Sequence, residues 1–84
     1  MANQIIIDIS TLYSAPNNAK LAELDSYIQK ALSLAGEGNE VILTGAGPIW
    51  LYLKIAHALH GRAKKLIYHS PVTGEVVIFD HSPD

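Results

Sequence analysis

The chain has 84 residues, no cysteine and a formal net charge of −2 with its four histidines neutral. That length leaves room for one domain, and the missing cysteines exclude a disulfide framework and a thiolate metal centre. Six Lys and Arg residues against eight Asp and Glu are a poor basis for tracking a DNA backbone by bulk charge, so no DNA partner is expected.

In chain order, the segment Met1-Ala2-Asn3-Gln4 has no basic n-region and no apolar h-region, so no secretory leader is expected. Gln4–Ile9 is a β-branched run ending near Asp8 and reads as a strand. A loop rich in Ser, Thr and Pro follows over Ser10–Pro16. The next segment, from about Pro16 to Ala35, carries Leu21, Leu24, Ile28, Ala31, Leu32 and Ala35 at three- and four-residue spacing. This predicts one apolar helical stripe, closed by Gly36 and Gly38. Val41-Ile42-Leu43 is a short continuous apolar run, the mark of a strand buried on both faces. Thr44-Gly45-Ala46-Gly47-Pro48 breaks it, and Pro48 is expected at the first position of a second helix running to about Gly61. The longest apolar run lies within Pro48–Leu59, is interrupted by Lys54 and His57, and is too short to span a bilayer. The expectation is therefore a cytoplasmic protein with no membrane partner. Lys65–Tyr68 is a third strand, His69–Gly74 a turn by composition, and Glu75–Phe79 a fourth strand paired to the third as a hairpin.

The predicted fold is a single small α/β domain, β-α-β-α-β-β, with a mixed sheet of three parallel strands and an antiparallel edge strand. Nearly half of the residues are apolar, 49%, so on so small a core part of that surface is expected between subunits. This topology sorts the chemistry-bearing residues onto two ends. Ser10, Thr11, Thr44–Gly47 and His69 belong to the carboxyl ends of the parallel strands, where ligands of such sheets usually bind. His57, His60, Asp80 and His81 belong to the opposite end.

The turn Thr44-Gly45-Ala46-Gly47-Pro48 suits a phosphate, because glycines admit close backbone approach and a helix N-terminus offers free N–H groups. A tight turn that needs positive φ explains the same residues. The Gly-Lys-Ser/Thr ending of a Walker loop is absent. If the turn cradles phosphate, a Cβ on Gly47 should block the approach. His57 and His60 are three apart and share a helix face, as a metal or acid/base pair requires; a helix C-terminus favours histidine equally. Asp80 and His81 can complete a metal site with His60, or belong to a solvated tail. His69 can donate to phosphate or cap the hairpin turn. Trp50 and Tyr52 can stack on a base or pack in the core, and core packing is favoured for Trp50. Asp8 most simply caps the loop that follows it.

Gly45-Ala46-Gly47-Pro48-Ile49-Trp50-Leu51, then Ala56-His57, His60, Tyr68 and Gly74-Glu75-Val76-Val77, resemble a small family of type III CRISPR accessory proteins. These are ring nucleases that bind cyclic tetra-adenylate and are related in fold to the CRISPR-associated Rossmann-fold sensors. The resemblance covers about Val41 to Asp80. It implies a Rossmann-like domain that binds a cyclic oligoadenylate across a symmetric homodimer and cuts it to linear products with a divalent metal, typically Mn2+. It also implies that one dimer holds the ring while another, stacked on it as a tetramer or filament, supplies catalytic groups. His60 falls on the family's catalytic histidine; His57 and Asp80 join it as catalytic candidates, and His60, Asp80 and His81 are the expected metal ligands. Ser10, Thr11, Thr44, Gly45, Ala46, Gly47, Pro48 and His69 are the expected ligand-binding set. His69 stands where the family has an aspartate, Pro71 where it has an arginine, and Asp80 close to where it has a histidine. The alternative function is a non-catalytic module that sequesters or senses the same ligand.

Overall fold

A computed structural model describes residues 4–13 and 18–81. Its elements are β1 (Gln4–Asp8), a 3-10 turn over Ile9–Thr11, a second 3-10 turn over Leu21–Glu23 that runs into α1 (Leu24–Ala35), β2 (Glu40–Thr44), α2 (Ile49–Leu59), β3 (Lys65–Ser70) and β4 (Gly74–Asp80). The sheet order is β1-β2-β3-β4. β1, β2 and β3 are parallel, and β4 is antiparallel to β3.

Strand order that follows chain order has a consequence for the layers. Two right-handed crossovers that step in the same direction leave both helices on one face of the sheet. Tyr27, Ala31 and Ala35 of α1 and Leu51, Ile55 and Leu59 of α2 accordingly share one core with Ile7, Val41, Leu43 and Leu66. The reversal of strand order that makes the crevice of a doubly wound sheet is absent, so what the structure supports is a small α/β domain with a mixed sheet. On the other face one register row crosses all four strands as Ile6, Ile42, Ile67 and Val77. Ile42 and Ile67 are enclosed by their neighbours, whereas Ile6 and Val77 on the edge strands are mostly exposed. The run Val41-Ile42-Leu43 is buried, but only Val41 and Leu43 belong to the core beneath the helices.

Several boundaries shift for local reasons. The first helix starts at Leu24, not near Pro16; positions 14–17 lie outside the described residues. Lys20 is extended, and its N–H donates to the Tyr27 hydroxyl at 3.0 Å, which turns the chain before the helix begins. Leu21 is therefore exposed, and the buried line of α1 is Tyr27-Ala31-Ala35, with Leu24, Ile28 and Leu32 packed beside it. Pro48 is the N-cap of α2 and not its first residue: its carbonyl accepts from the N–H groups of Leu51 and Tyr52 at 3.1 and 3.3 Å. The hairpin turn is shorter than its composition suggests. β3 continues through His69, opposite Glu75, to Ser70. The Ser70 hydroxyl accepts from Val72 N–H at 3.1 Å and Thr73 N–H at 3.3 Å, so Ser70 and not His69 caps the turn.

Ile55 is fully buried between the sheet and α1. Ile55→Ala is expected to lower the unfolding free energy by about 2–5 kcal/mol, while Ile6→Ala on the open face stays within about 0.5 kcal/mol. Urea denaturation followed by circular dichroism measures both.

Candidate functional site

The link between β2 and α2 is shaped from behind by the end of β1. Gly45 has φ +97, a conformation that favours glycine. A Cβ there would also collide with the Asp8 carboxylate. Asp8 in turn accepts from Ser10 N–H at 2.9 Å and from the Ser10 hydroxyl at 2.6 Å, while the Thr11 hydroxyl donates to the Asp8 carbonyl at 2.7 Å. Asp8 therefore caps the loop after β1. A Cβ on Gly47 would meet Ile9 Cγ2 at 2.6 Å. Gly47 is small for the sake of the core, and the expectation that a side chain there would test ligand approach is corrected: it would push on Ile9.

Two tyrosines fix the direction of the turn's peptides. The Tyr52 hydroxyl donates to the Gly45 carbonyl, and the Tyr13 hydroxyl donates to the Ala46 carbonyl at 2.9 Å. Among the described residues nothing accepts from the N–H groups of Ala46 and Gly47. They stand just before the N-terminus of α2, where the helix dipole favours negative charge. Burial pushes the Tyr52 phenol up from 10.0 to about 12, helped by the neighbouring Tyr68, Asp8 and Tyr13. The phenol thus stays a hydrogen-bond donor across the ordinary pH range. Tyr52 and Tyr68 meet edge to face with ring centres 5.1 Å apart.

The turn opens onto a cleft of about 590 Å³ lined by Thr44, Gly45, Ala46, Gly47 and His69, together with Ile49, Tyr52, Tyr68 and Pro71. Pro48 is the capping residue beside it. Ser10 sits behind the turn with its hydroxyl proton engaged by Asp8. Thr11 is not brought to this cleft; it lines a different groove with Leu12, Gln29, Lys30, Ser33 and Leu34. Trp50 is half-buried against the core. Tyr13 is a site-shaping residue that no local pattern announces, because it reaches the turn only through the fold.

The opposite end of the domain gathers His60, Phe79 and His81. The His60 and His81 rings are 4.7 Å apart at 81°, and Phe79 lies 5.1 Å from His60 and 4.7 Å from His81. The His81 N–H donates to the Lys64 carbonyl at 2.7 Å, and Asp80 lies opposite Lys65 in the strand register, which together set this cluster where β3 begins. His57 is exposed one turn earlier and makes no ring contact with the cluster among the described residues. The described residues contain no group of three or more His, Cys, Asp or Glu side chains placed to hold a metal ion. The described residues thus offer two imidazoles side by side, whereas Mn2+ suits an oxygen-rich set. α2, with 11 residues, separates this end from the glycine turn by about 16 Å at ~1.5 Å per residue.

These features define a small α/β domain with an open cleft at the carboxyl ends of its parallel strands and a histidine cluster at the other end. No described helix is long and apolar enough to cross a membrane. The chain belongs to the CRISPR-associated protein family Cas_csx3, which it matches over residues 20–84, more than three quarters of its length. No curated protein and no solved structure matches it.

Two outcomes are expected from the turn. Gly47→Ala should destabilise the domain by about 1–3 kcal/mol through overpacking, and Ile9→Leu, which removes the opposing Cγ2, should restore part of that loss in a double-mutant cycle by urea denaturation. The phenol of Tyr52 is held protonated in the folded state beyond the pH at which it ionises in the unfolded chain. Its contribution is complete below pH 10 and is lost as pH rises towards about 12. Thermal melts across that window should fall less steeply for Tyr52→Phe than for the parent.

Proposed function

We propose that this protein binds a cyclic oligoadenylate, cyclic tetra-adenylate in the first instance, and opens it to linear products, which switches off type III CRISPR signalling. The family assignment supports the setting. The observation that carries the ligand is the pair of N–H groups at Ala46 and Gly47, just before α2, which have no acceptor among the described residues and border a cleft whose described lining holds no lysine or arginine. Backbone donors at a helix N-terminus take up phosphate without a basic surface, which agrees with a net charge of −2. A ring of repeated phosphates fits a two-fold axis on which each subunit of a homodimer presents the same turn.

Cutting is assigned to the other end of a second dimer. The distance between the turn and His60 keeps one subunit from holding the ring and attacking it with its own His60. A dimer stacked head to tail brings its His60 to the ring, and such stacking extends into a tetramer or filament because the contact need not close. A ribose 2′-oxygen attacks the adjacent phosphorus and the bond from phosphorus to the 5′-oxygen breaks, leaving a 2′,3′-cyclic phosphate; the 2′-hydroxyl proton passes to the His60 imidazole and the departing 5′-oxygen takes a proton from water. His81, in contact with His60, orients that ring.

The separation of the two ends also favours a second reading, in which an isolated dimer only sequesters the ring. Purified protein incubated with radiolabelled cyclic tetra-adenylate, with and without Mn2+, decides between them. Linear product supports the enzyme, retention without product supports sequestration, and neither overturns the ligand. Ala46→Asp places a carboxylate at the cleft and should lose binding, while His60→Ala should bind without cutting. A mixture of the two should regain part of the cleavage that each lacks. Full cleavage by His60→Ala alone would refute the stacked site.

A further inference from the structure

The glycine that the core favours at position 47 leaves a loose peptide in front of it. A Cβ on Gly47 would lie 2.6 Å from Ile9 Cγ2, which sets glycine at this place. The peptide between Ala46 and Gly47 rotates through ψ of Ala46 and φ of Gly47, and a glycine accepts φ of either sign. The peptide before it ends on Ala46, whose Cβ confines φ. Of the two donors in the turn, the Gly47 N–H is therefore the one whose direction the covalent chain leaves open. In a trans peptide the C=O and the N–H point in opposite directions. Turning this unit over would present the Ala46 carbonyl where the Gly47 N–H now stands. A carbonyl oxygen only accepts hydrogen bonds, so a phosphate would meet an acceptor in place of a donor.

We infer that Tyr13 is the positioning residue of this site: by holding the Ala46 carbonyl, its hydroxyl keeps the Gly47 N–H turned to the anion and supplies the restraint that the glycine takes away. The role rests on the reading that the turn takes up phosphate. The Tyr13 hydroxyl donates to the Ala46 carbonyl at 2.9 Å, and the described residues give that carbonyl no other donor. The ring that carries the hydroxyl is itself held. It packs against the core, with Cε1 3.7 Å from the place a Gly47 Cβ would take. It also meets the Tyr27 ring edge to face, with centres 6.4 Å apart at 64°. Tyr27 is buried, and its hydroxyl accepts from the Lys20 N–H. The chain is thus tied to one aromatic of α1 at Tyr13 and again at Lys20. Tyr52 acts on the other peptide, since its hydroxyl donates to the Gly45 carbonyl and so directs the Ala46 N–H. Each donor of the turn answers to a different tyrosine. Tyr13 does more than orient, because a carbonyl that accepts a hydrogen bond makes the N–H of its own peptide a stronger donor. The bond lies at the surface, where a hydrogen bond exchanged for one to water contributes little to folding. Its loss is therefore felt at the ligand and not in the fold.

Tyr13→Phe keeps the ring and its contact with Tyr27 and removes only the hydroxyl. The ligand-free protein is measured first by NMR. Cross-relaxation between the Ala46 Hα and the Gly47 amide proton reports ψ of Ala46, and it should differ from the parent's in Tyr13→Phe and match it in Tyr52→Phe. Pyrophosphate and cyclic tetra-adenylate are then titrated separately. Each should bind at least about 10-fold more weakly to Tyr13→Phe, whose urea midpoint should stay close to the parent's. Cross-relaxation that Tyr13→Phe leaves unchanged overturns the proposal, as does a Tyr13→Phe protein that binds the probes as tightly as the parent. A parent that takes up the ring equally well with and without the Tyr13 hydroxyl upholds the ligand and refutes the positioning role. A parent that takes up pyrophosphate but not the ring, with that uptake weakened in Tyr13→Phe, upholds the positioning role and refutes the ring. A parent that takes up neither probe refutes both.

Discussion

The nesting of the end of β1 against the turn between β2 and α2 governs the rest of this structure. Ile9 occupies the space where a side chain on Gly47 would be, and Asp8 occupies the corresponding space at Gly45. Because the two segments touch at backbone distance, the N-terminus of α2 is fixed relative to the edge of the sheet. Tyr13 and Tyr52 then tie the turn's carbonyls to one side. The direction of the exposed N–H groups follows from that tie. The cleft is thus a by-product of core packing, and its geometry is as rigid as the core that makes it.

The elements that rest on neighbouring residues can be read from the chain. The continuous Val41-Ile42-Leu43, the glycine after Ala35 and the proline before Ile49 each declare their structure locally. Pro48 fits a cap as readily as a first helical position because neither needs its missing donor, so only the carbonyl bonds it accepts decide. Leu21 keeps the helical spacing of α1 yet precedes the helix, since the Tyr27 hydroxyl holds Lys20 extended. The glycine turn is conspicuous as a motif, but the reason for Gly47 is Ile9, far away in sequence, and no local pattern contains it. Likewise the topology alone separates His60 and His81 from the turn, while the insertion of Phe79 against both rings becomes visible only in three dimensions.

Single-faced layering explains how the exposed apolar residues divide. On the open face each parallel strand alternates polar, apolar, polar: Gln4-Ile6-Asp8 on β1, Glu40-Ile42-Thr44 on β2 and Lys65-Ile67-His69 on β3. Such a face tolerates water, as half-buried sheets do. The helical face ends abruptly beyond α2, where β4 extends without a helix above it, and there the apolar residues are contiguous. The two kinds of exposure differ in physical meaning, since isolated apolar residues among charges are ordinary whereas a contiguous apolar patch is unusual on a folded surface.

Strand order that copies chain order also bears on how the molecule comes into being. Each strand hydrogen-bonds only to the strand before it and the strand after it, so each pairing waits for no more than one intervening helix. During synthesis the β1-α1-β2 unit can close before α2 has left the ribosome, and β3 and β4 then add outward, one edge at a time. Growth proceeds at the edge away from β1, which stays an edge strand throughout. The last strand to arrive, β4, carries the bulge at Ile78, and a bulge twists an edge out of register with any further strand. The step that completes the fold therefore also blunts the edge at which the sheet was growing.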